Sequence, residues 1–111
     1  MTNFKELRNY TTISGKVPFR EWLDSLKDTI GRARIRKRLD KLELGHYGDC
    51  NPVGEGVQEL RLFFGPGYRV YFTDYDDCII LLLCGGDKSS QTEDIKKAKS
   101  FWKEFKERVH D

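Results

Sequence analysis

A chain of 111 residues with 20 Lys and Arg against 18 Asp and Glu has a formal net charge of only +2, so electrostatic arguments about partners must rest on local clusters. That length makes one domain with a modest core. The start, Met1-Thr2-Asn3-Phe4-Lys5-Glu6-Leu7-Arg8, lacks the apolar stretch of a signal peptide, and the longest apolar run is too short to cross a bilayer. A soluble, cytoplasmic protein without membrane association is therefore expected. The cysteines, Cys50, Cys78 and Cys84, are odd in number and lack Cys-x-x-Cys spacing, which argues against a disulfide framework and a zinc site. Reduced, mostly buried thiols are expected, with no metal or cofactor.

In chain order, residues 4–13 are read as a first strand. Pro18 then stands at the first position of a helix, where its missing N–H is no loss. Phe19, Trp22, Leu23 and Leu26 follow at helical spacing, so a short helix runs to near Asp28. A second helix begins near Thr29, with Ile30, Ala33, Ile35, Leu39 and Leu42 as its buried side and Gly45 as its stop. The two form a helical hairpin. The second helix also carries Arg32, Arg34, Arg36, Lys37, Arg38 and Lys41, offset by Asp40 and Glu43. Two readings fit this cluster: a polyanion such as RNA lies along it, or it is the solvated side of an amphipathic helix.

Residues 57–73 read as two strands joined by the turn Gly65-Pro66-Gly67. With Phe64 opposite Tyr68, Leu62 opposite Val70 and Leu60 opposite Phe72, the even positions form one apolar face. The odd face then holds Glu59, Arg61, Phe63, Arg69, Tyr71 and Thr73, with Arg61 opposite Tyr71 and diagonal to Arg69. That face is either an ordinary solvated surface, with Glu59 pairing locally, or a site for an anion.

An acidic turn at 74–77 leads into the apolar run 78–84, whose lack of alternation marks a central strand buried on both faces. It ends at Gly85-Gly86. Ser90-Gln91-Thr92-Glu93 has the form of a capping box opening a last helix, whose packed stripe is Ile95, Ala98, Trp102, Phe105 and Val109. Asp87 and Lys88 lie between strand end and helix start. They are either plain turn chemistry or a phosphate site in which freed backbone amides add to the charge of Lys88. The expected fold is a single α+β domain: a small, mostly antiparallel sheet with an N-terminal helical hairpin and a C-terminal helix.

Several blocks in this order carry a resemblance. They are Pro18-Phe19-Arg20-Glu21-Trp22-Leu23, the stretch from Gly48-Asp49 through Val53-Gly54-Glu55-Gly56-Val57, Glu59-Leu60-Arg61-Leu62, Gly65-Pro66-Gly67-Tyr68-Arg69-Val70-Tyr71-Phe72, and Leu81-Leu82-Leu83-Cys84-Gly85-Gly86-Asp87-Lys88-Ser89-Ser90-Gln91. Together they resemble the RelE/ParE toxin superfamily, and within it the HigB-like addiction module killer protein group. The resemblance implies a RelE-like fold and the toxin of a type II toxin-antitoxin pair, whose RelE-like relatives enter the ribosomal A site and cut mRNA. It also implies a cognate antitoxin, commonly a helix-turn-helix, HigA-like protein, with the ribosome and mRNA as further partners.

Residue by residue, Arg69 matches the arginine that RelE-like toxins place beside the scissile phosphate. Arg61 matches a basic residue on the preceding strand, and Lys88 one that follows the last strand. The His or Tyr that many such ribonucleases carry near that strand is replaced here by Asp87, Ser89 and Gln91. Metal-free cleavage would use the RNA 2'-hydroxyl as nucleophile, with Arg61, Arg69 and Lys88 positioning the phosphate and offsetting its charge. Glu59 is then the first candidate for the base and Asp87 the second, although neighbouring arginines lower a carboxylate's pKa. Tyr71 either stacks on a nucleobase, donates a hydrogen bond or packs. His46 and His110 receive no catalytic role. The superfamily also holds ParE-like gyrase poisons, and a non-catalytic nucleic-acid-binding module is a third reading.

Overall fold

The computed structural model describes residues 4–109, so His110 lies outside it. The elements are β1 (Glu6–Asn9), α1 (Pro18–Ser25), α2 (Thr29–Glu43), β2 (Cys50–Gly54), β3 (Val57–Arg61), β4 (Arg69–Asp76), β5 (Ile79–Gly86) and α3 (Gln91–Val109). The strands form one sheet in the order β1-β5-β4-β3-β2, with β1 parallel to β5 and the other pairs antiparallel. The α+β reading holds. No helix among the described residues is long and apolar enough to cross a membrane.

Local chemistry sets the helix ends. Pro18 opens α1, and the Glu21 carboxylate accepts from the Val17 N–H at 3.1 Å. Asp28 caps α2 by accepting from the Gly31 N–H at 2.8 Å. At its other end Gly45 takes φ 83°. Gly45 N–H then bonds the Leu42 carbonyl and His46 N–H that of Lys41, the paired closure of a glycine stop. The buried side of α2 is Gly31, Ile35, Leu39 and Leu42. Ile30 and Ala33, expected there, are exposed, because a stripe through 35, 39 and 42 leaves 30 and 33 on the far side of the helix.

Both sheet faces are covered. On one, Phe19 and Leu23 of α1 and Ile35, Leu39 and Leu42 of α2 pack on Leu60, Val70, Phe72, Ile80 and Leu82. On the other, Ala98 of α3, with Ile95, Trp102 and Phe105 around it, packs on Val57, Tyr71, Leu81 and Leu83. The odd face of β3 and β4 is thus a second core under α3 and not a solvated surface.

The hairpin register also differs from the expected one. Leu60 pairs with Val70 and Arg61 with Arg69, a shift of two residues that keeps the faces but changes every partner. β3 stops at Arg61, and a loop of residues 62–68 replaces the tight turn. Leu62 N–H bonds the Tyr68 carbonyl at 2.9 Å to close it. Tyr68 supplies the reason: its hydroxyl donates to Asp28 at 2.9 Å, which draws the loop toward the start of α2. β2 was not foreseen, since Pro52 cannot donate to a ladder; it survives as an edge strand with an irregularity between Pro52 and Gly54.

At the end of β5 the pairing slips: Tyr71 partners Cys84 while Phe72 partners Leu82, leaving Leu83 as an extra residue. A bulge of this kind reverses which face later residues point to. A Cβ on Gly85 would meet the Trp22 ring at 2.2 Å, and one on Gly86 would meet the Asp94 carboxylate at 1.8 Å. Two glycines in series thus let α1 and α3 approach the strand from opposite sides. The capping box, too, differs from expectation. Asp87 accepts from the Ser89 N–H at 2.8 Å, above a single 3₁₀ turn, Lys88–Ser90, that runs into α3. Ser90 instead donates to Asp94 at 2.5 Å, and Glu93 is exposed. Of the three free thiols only Cys84 is buried; Cys50 is half-buried and Cys78 exposed.

Candidate functional site: an arginine pair over a buried glutamate

Two arginines directly opposite on neighbouring strands repel, yet Arg61 and Arg69 are such a pair. Glu59, opposite Tyr71 on the same face, offsets this. One carboxylate oxygen accepts from Arg61 Nε at 2.9 Å and stands 3.6 Å from Arg69 Nη1. The other accepts from the Tyr71 hydroxyl at 2.9 Å and Gln91 Nε2 at 2.8 Å. Glu59 is fully buried. Burial alone would push its carboxyl up, but hydrogen bonds from Arg61, Gln91 and Tyr71 and the charge of Arg69 together hold it below the usual carboxylate range. Burial and the bond to Glu59 push the Tyr71 hydroxyl far above the usual phenol range.

Two expectations change accordingly. Tyr71, a candidate to stack on a nucleobase, has no exposed surface, because α3 covers its face. It is a donor to Glu59. Glu59, the first candidate base, is ionised but sealed beneath the arginines, so its geometry is that of a counter-ion that fixes them.

Above this network is a cleft of about 530 Å³ lined by Arg61, Phe63, Phe64, Arg69, Lys88 and Gln91, among others. Its walls are the 62–68 loop and the 3₁₀ turn, joined by a 3.4 Å bond from Lys88 N–H to the Pro66 carbonyl. Gly67, at φ 77°, has room for a Cβ only at 3.4 Å from Lys88. Arg61 and Lys88 are exposed. Arg69 is 9% exposed, and its Nε and Nη1, both buried, find no hydrogen-bond partner among the described residues. One carboxylate thus serves two guanidinium groups, with Lys88 a third cation in the same cleft lining, and hydrogen-bonding capacity is left over. Gln91, noted in the sequence only as one of the residues standing where related ribonucleases carry a His or Tyr, joins the network as a donor to Glu59. Its place at the start of the last helix lets the side chain reach back to the sheet.

Asp87 departs from the group. Its carboxylate is engaged by the Ser89 N–H and hydroxyl and borders a separate hollow with Trp22, Cys84 and Asp94. The backbone amides expected beside Lys88 are taken as well, by Asp87 and by Pro66. A phosphate there would meet the Lys88 side chain, not a row of free N–H groups.

The basic cluster of α2 does not form one stripe. Arg34 lies over the Phe64 ring at 5.1 Å, on the rim of the cleft. Lys37 and Lys41 are exposed. Arg36 instead lines a different hollow with Arg20, Asp24 and Asn9. Arg38, expected to bind RNA, donates to the carbonyls of His46 and Tyr47 and so secures the chain after the helix. Arg32 is half-buried, with its Nε unpartnered among the described residues.

No protein-family model matches the chain. A Haemophilus influenzae protein, described only as an uncharacterized protein, is 44% identical to it over 87 residues, which cover 78% of this chain and 88% of that relative. Identity at that level over most of both chains means that this protein belongs to the same family as the Haemophilus protein.

Proposed function

We propose that this protein is the toxin of a type II toxin-antitoxin pair, in the HigB-like group of the RelE/ParE superfamily, and that it cuts mRNA at the ribosome. The observation that carries the reading is the opposed pair Arg61 and Arg69, held over buried Glu59 and facing a cleft shared with Lys88. Like charges forced together in this way favour an anion with several acceptor oxygens, and a phosphodiester fits.

In this mechanism Arg69 and Arg61 hold the non-bridging oxygens while Lys88 adds charge from the opposite wall. The RNA 2'-oxygen attacks phosphorus in line, the bond to the next nucleotide's 5'-oxygen breaks, and a 2',3'-cyclic phosphate and a 5'-hydroxyl result. One proton leaves the 2'-hydroxyl and one reaches the 5'-oxygen, so none is gained or lost overall. The cleft is furnished for positioning and charge stabilisation. Its titratable lining groups, Arg61, Arg69 and Lys88, are all cations, so proton transfer falls to water and to the ribosomal surroundings. The antitoxin, a helix-turn-helix protein by resemblance, would neutralise the toxin by covering the same cleft with an acidic segment.

The test is induction in a bacterial host followed by primer extension on translated mRNAs. New ends inside reading frames are expected with the wild type, loss of them with Arg61→Ala and Lys88→Ala, and partial retention with Lys88→Arg. Growth arrest with supercoiling defects and no new ends would replace this reading with a gyrase poison.

A further inference from the structure

The cleft holds a residue that phosphate binding does not explain. Phe63 was expected within a strand, on the odd face beside Glu59 and Arg61, but β3 ends two residues earlier and the side chain emerges at the lip of the cleft, 81% exposed. Its neighbours turn inward: Leu62 is buried in the core shared with α1 and α2, and Phe64 packs edge-on against Tyr68 with Arg34 over its face. The loop is pinned by Leu62 N–H to the Tyr68 carbonyl, Gly67 N–H to the Phe64 carbonyl, and the Tyr68 hydroxyl to Asp28. The ring is thus presented from an anchored loop.

Phe63 lines the cleft together with Arg61, Arg69 and Lys88. An aromatic face beside cations that can hold a backbone is the arrangement by which single-stranded nucleic acid is bound, the phosphate by charge and the base by stacking. We infer that Phe63 is a stacking platform for an unpaired nucleobase adjoining the phosphate held by Arg61 and Arg69. The inference rests on the proposed reading of the cleft and adds a contact to the base. Stacking tolerates any base, so Phe63 contributes affinity and position more than sequence choice.

The test measures binding of the purified chain to a short single-stranded oligoribonucleotide and to inorganic polyphosphate of similar charge. Phe63→Ala should weaken oligonucleotide binding about tenfold, the effect of losing one stacked base, and leave polyphosphate binding unchanged. Phe63→Tyr should retain affinity, while Phe63→Leu, apolar but without a π face, should behave like Phe63→Ala. Because the side chain is exposed, all three should melt with the wild type. Arg61→Ala should weaken both ligands. If Phe63→Ala bound the oligonucleotide like the wild type while Arg61→Ala lost both ligands, the stacking role would fail and the phosphate cleft would stand. If the wild type bound neither ligand, both would fall.

Discussion

Glu59 shows how one residue's environment redirects its chemistry. Four donors or cations surround its two oxygens, and the price of burying the charge is offset only while all remain. Glu59→Gln replaces an acceptor with an N–H₂ aimed at existing donors and leaves the arginine pair unscreened, so a loss of about 3 kcal/mol is expected at neutral pH. The sign with pH follows from the lowered carboxyl. The unfolded chain binds the proton first, so the stability contributed by ionised Glu59 is present above the unfolded value of about 4.3 and fades as pH falls through the lower folded value. The gap between urea melts of wild type and Glu59→Gln should therefore hold steady above about pH 4 and narrow progressively below it. A gap that stayed constant well below that pH, as long as the wild type still folds, would show that the charge is not what stabilises. The cysteines give a second test at this scale. Burial pushes the Cys84 thiol up to about 12 and the Cys50 thiol up to about 11, whereas Cys78 is exposed in the turn before β5. Iodoacetamide at neutral pH should alkylate Cys78 alone, the others following only on unfolding, as peptide mass spectrometry would show.

Among the elements, the end of β5 decides where the site lies. The bulge at Leu83 aims Gly85 at α1 and Gly86 at α3, which brings the 3₁₀ turn and Lys88 beside the 62–68 loop. Gly86→Ala must displace the Asp94 carboxylate, itself held by Ser90. A loss of about 2 kcal/mol is expected from overpacking of this kind, together with weaker anion binding as the start of α3 shifts and carries Lys88 and Gln91 with it. Thermal melts and polyphosphate titrations read the two effects separately. An Ala variant as stable as the wild type would mean that the strand end and α3 are less tightly joined than the geometry indicates.

For the whole molecule, the two cores under α1, α2 and α3 make the sheet a rigid mount, and the charges left outside it determine what it attracts. A net charge of +2 steers weakly, but Arg61, Arg69, Lys88 and the rim residue Arg34 concentrate positive charge at one opening. Three phosphate contacts on a single strand should give a log–log salt dependence with a slope of about −2, measured by fluorescence anisotropy between low and physiological salt. Lys88→Ala should lower the magnitude of that slope by about 0.7. Removing Lys37 and Lys41, which lie outside the cleft lining, should change it less. An unchanged slope in Lys88→Ala would remove Lys88 from the phosphate contacts.

Much of this organisation was legible in the chain. Pro18, Gly45 and the unbroken run 78–84, of which the strand takes 79 onward, carry their structural meaning locally, through a helix's first position, a left-handed stop and an apolar strand too uniform for an exposed face. The alternation of β3 and β4 likewise assigned Leu60, Val70 and Phe72 to one core and put Glu59, Arg61 and Arg69 on the same side. Period-two patterning, however, cannot distinguish registers that differ by two residues, nor reveal that a distant helix covers the second face. Tertiary packing decided both. Tyr68 bonding to Asp28, 40 residues away in the chain, opened the turn into a loop, set Arg61 opposite Arg69 and released Phe63 to the surface. The docking of α3 buried Glu59 and Tyr71 and brought Gln91 to them. The charges of the candidate site are thus local in origin, while their pairing, burial and shared cleft arise from contacts between residues far apart in the chain.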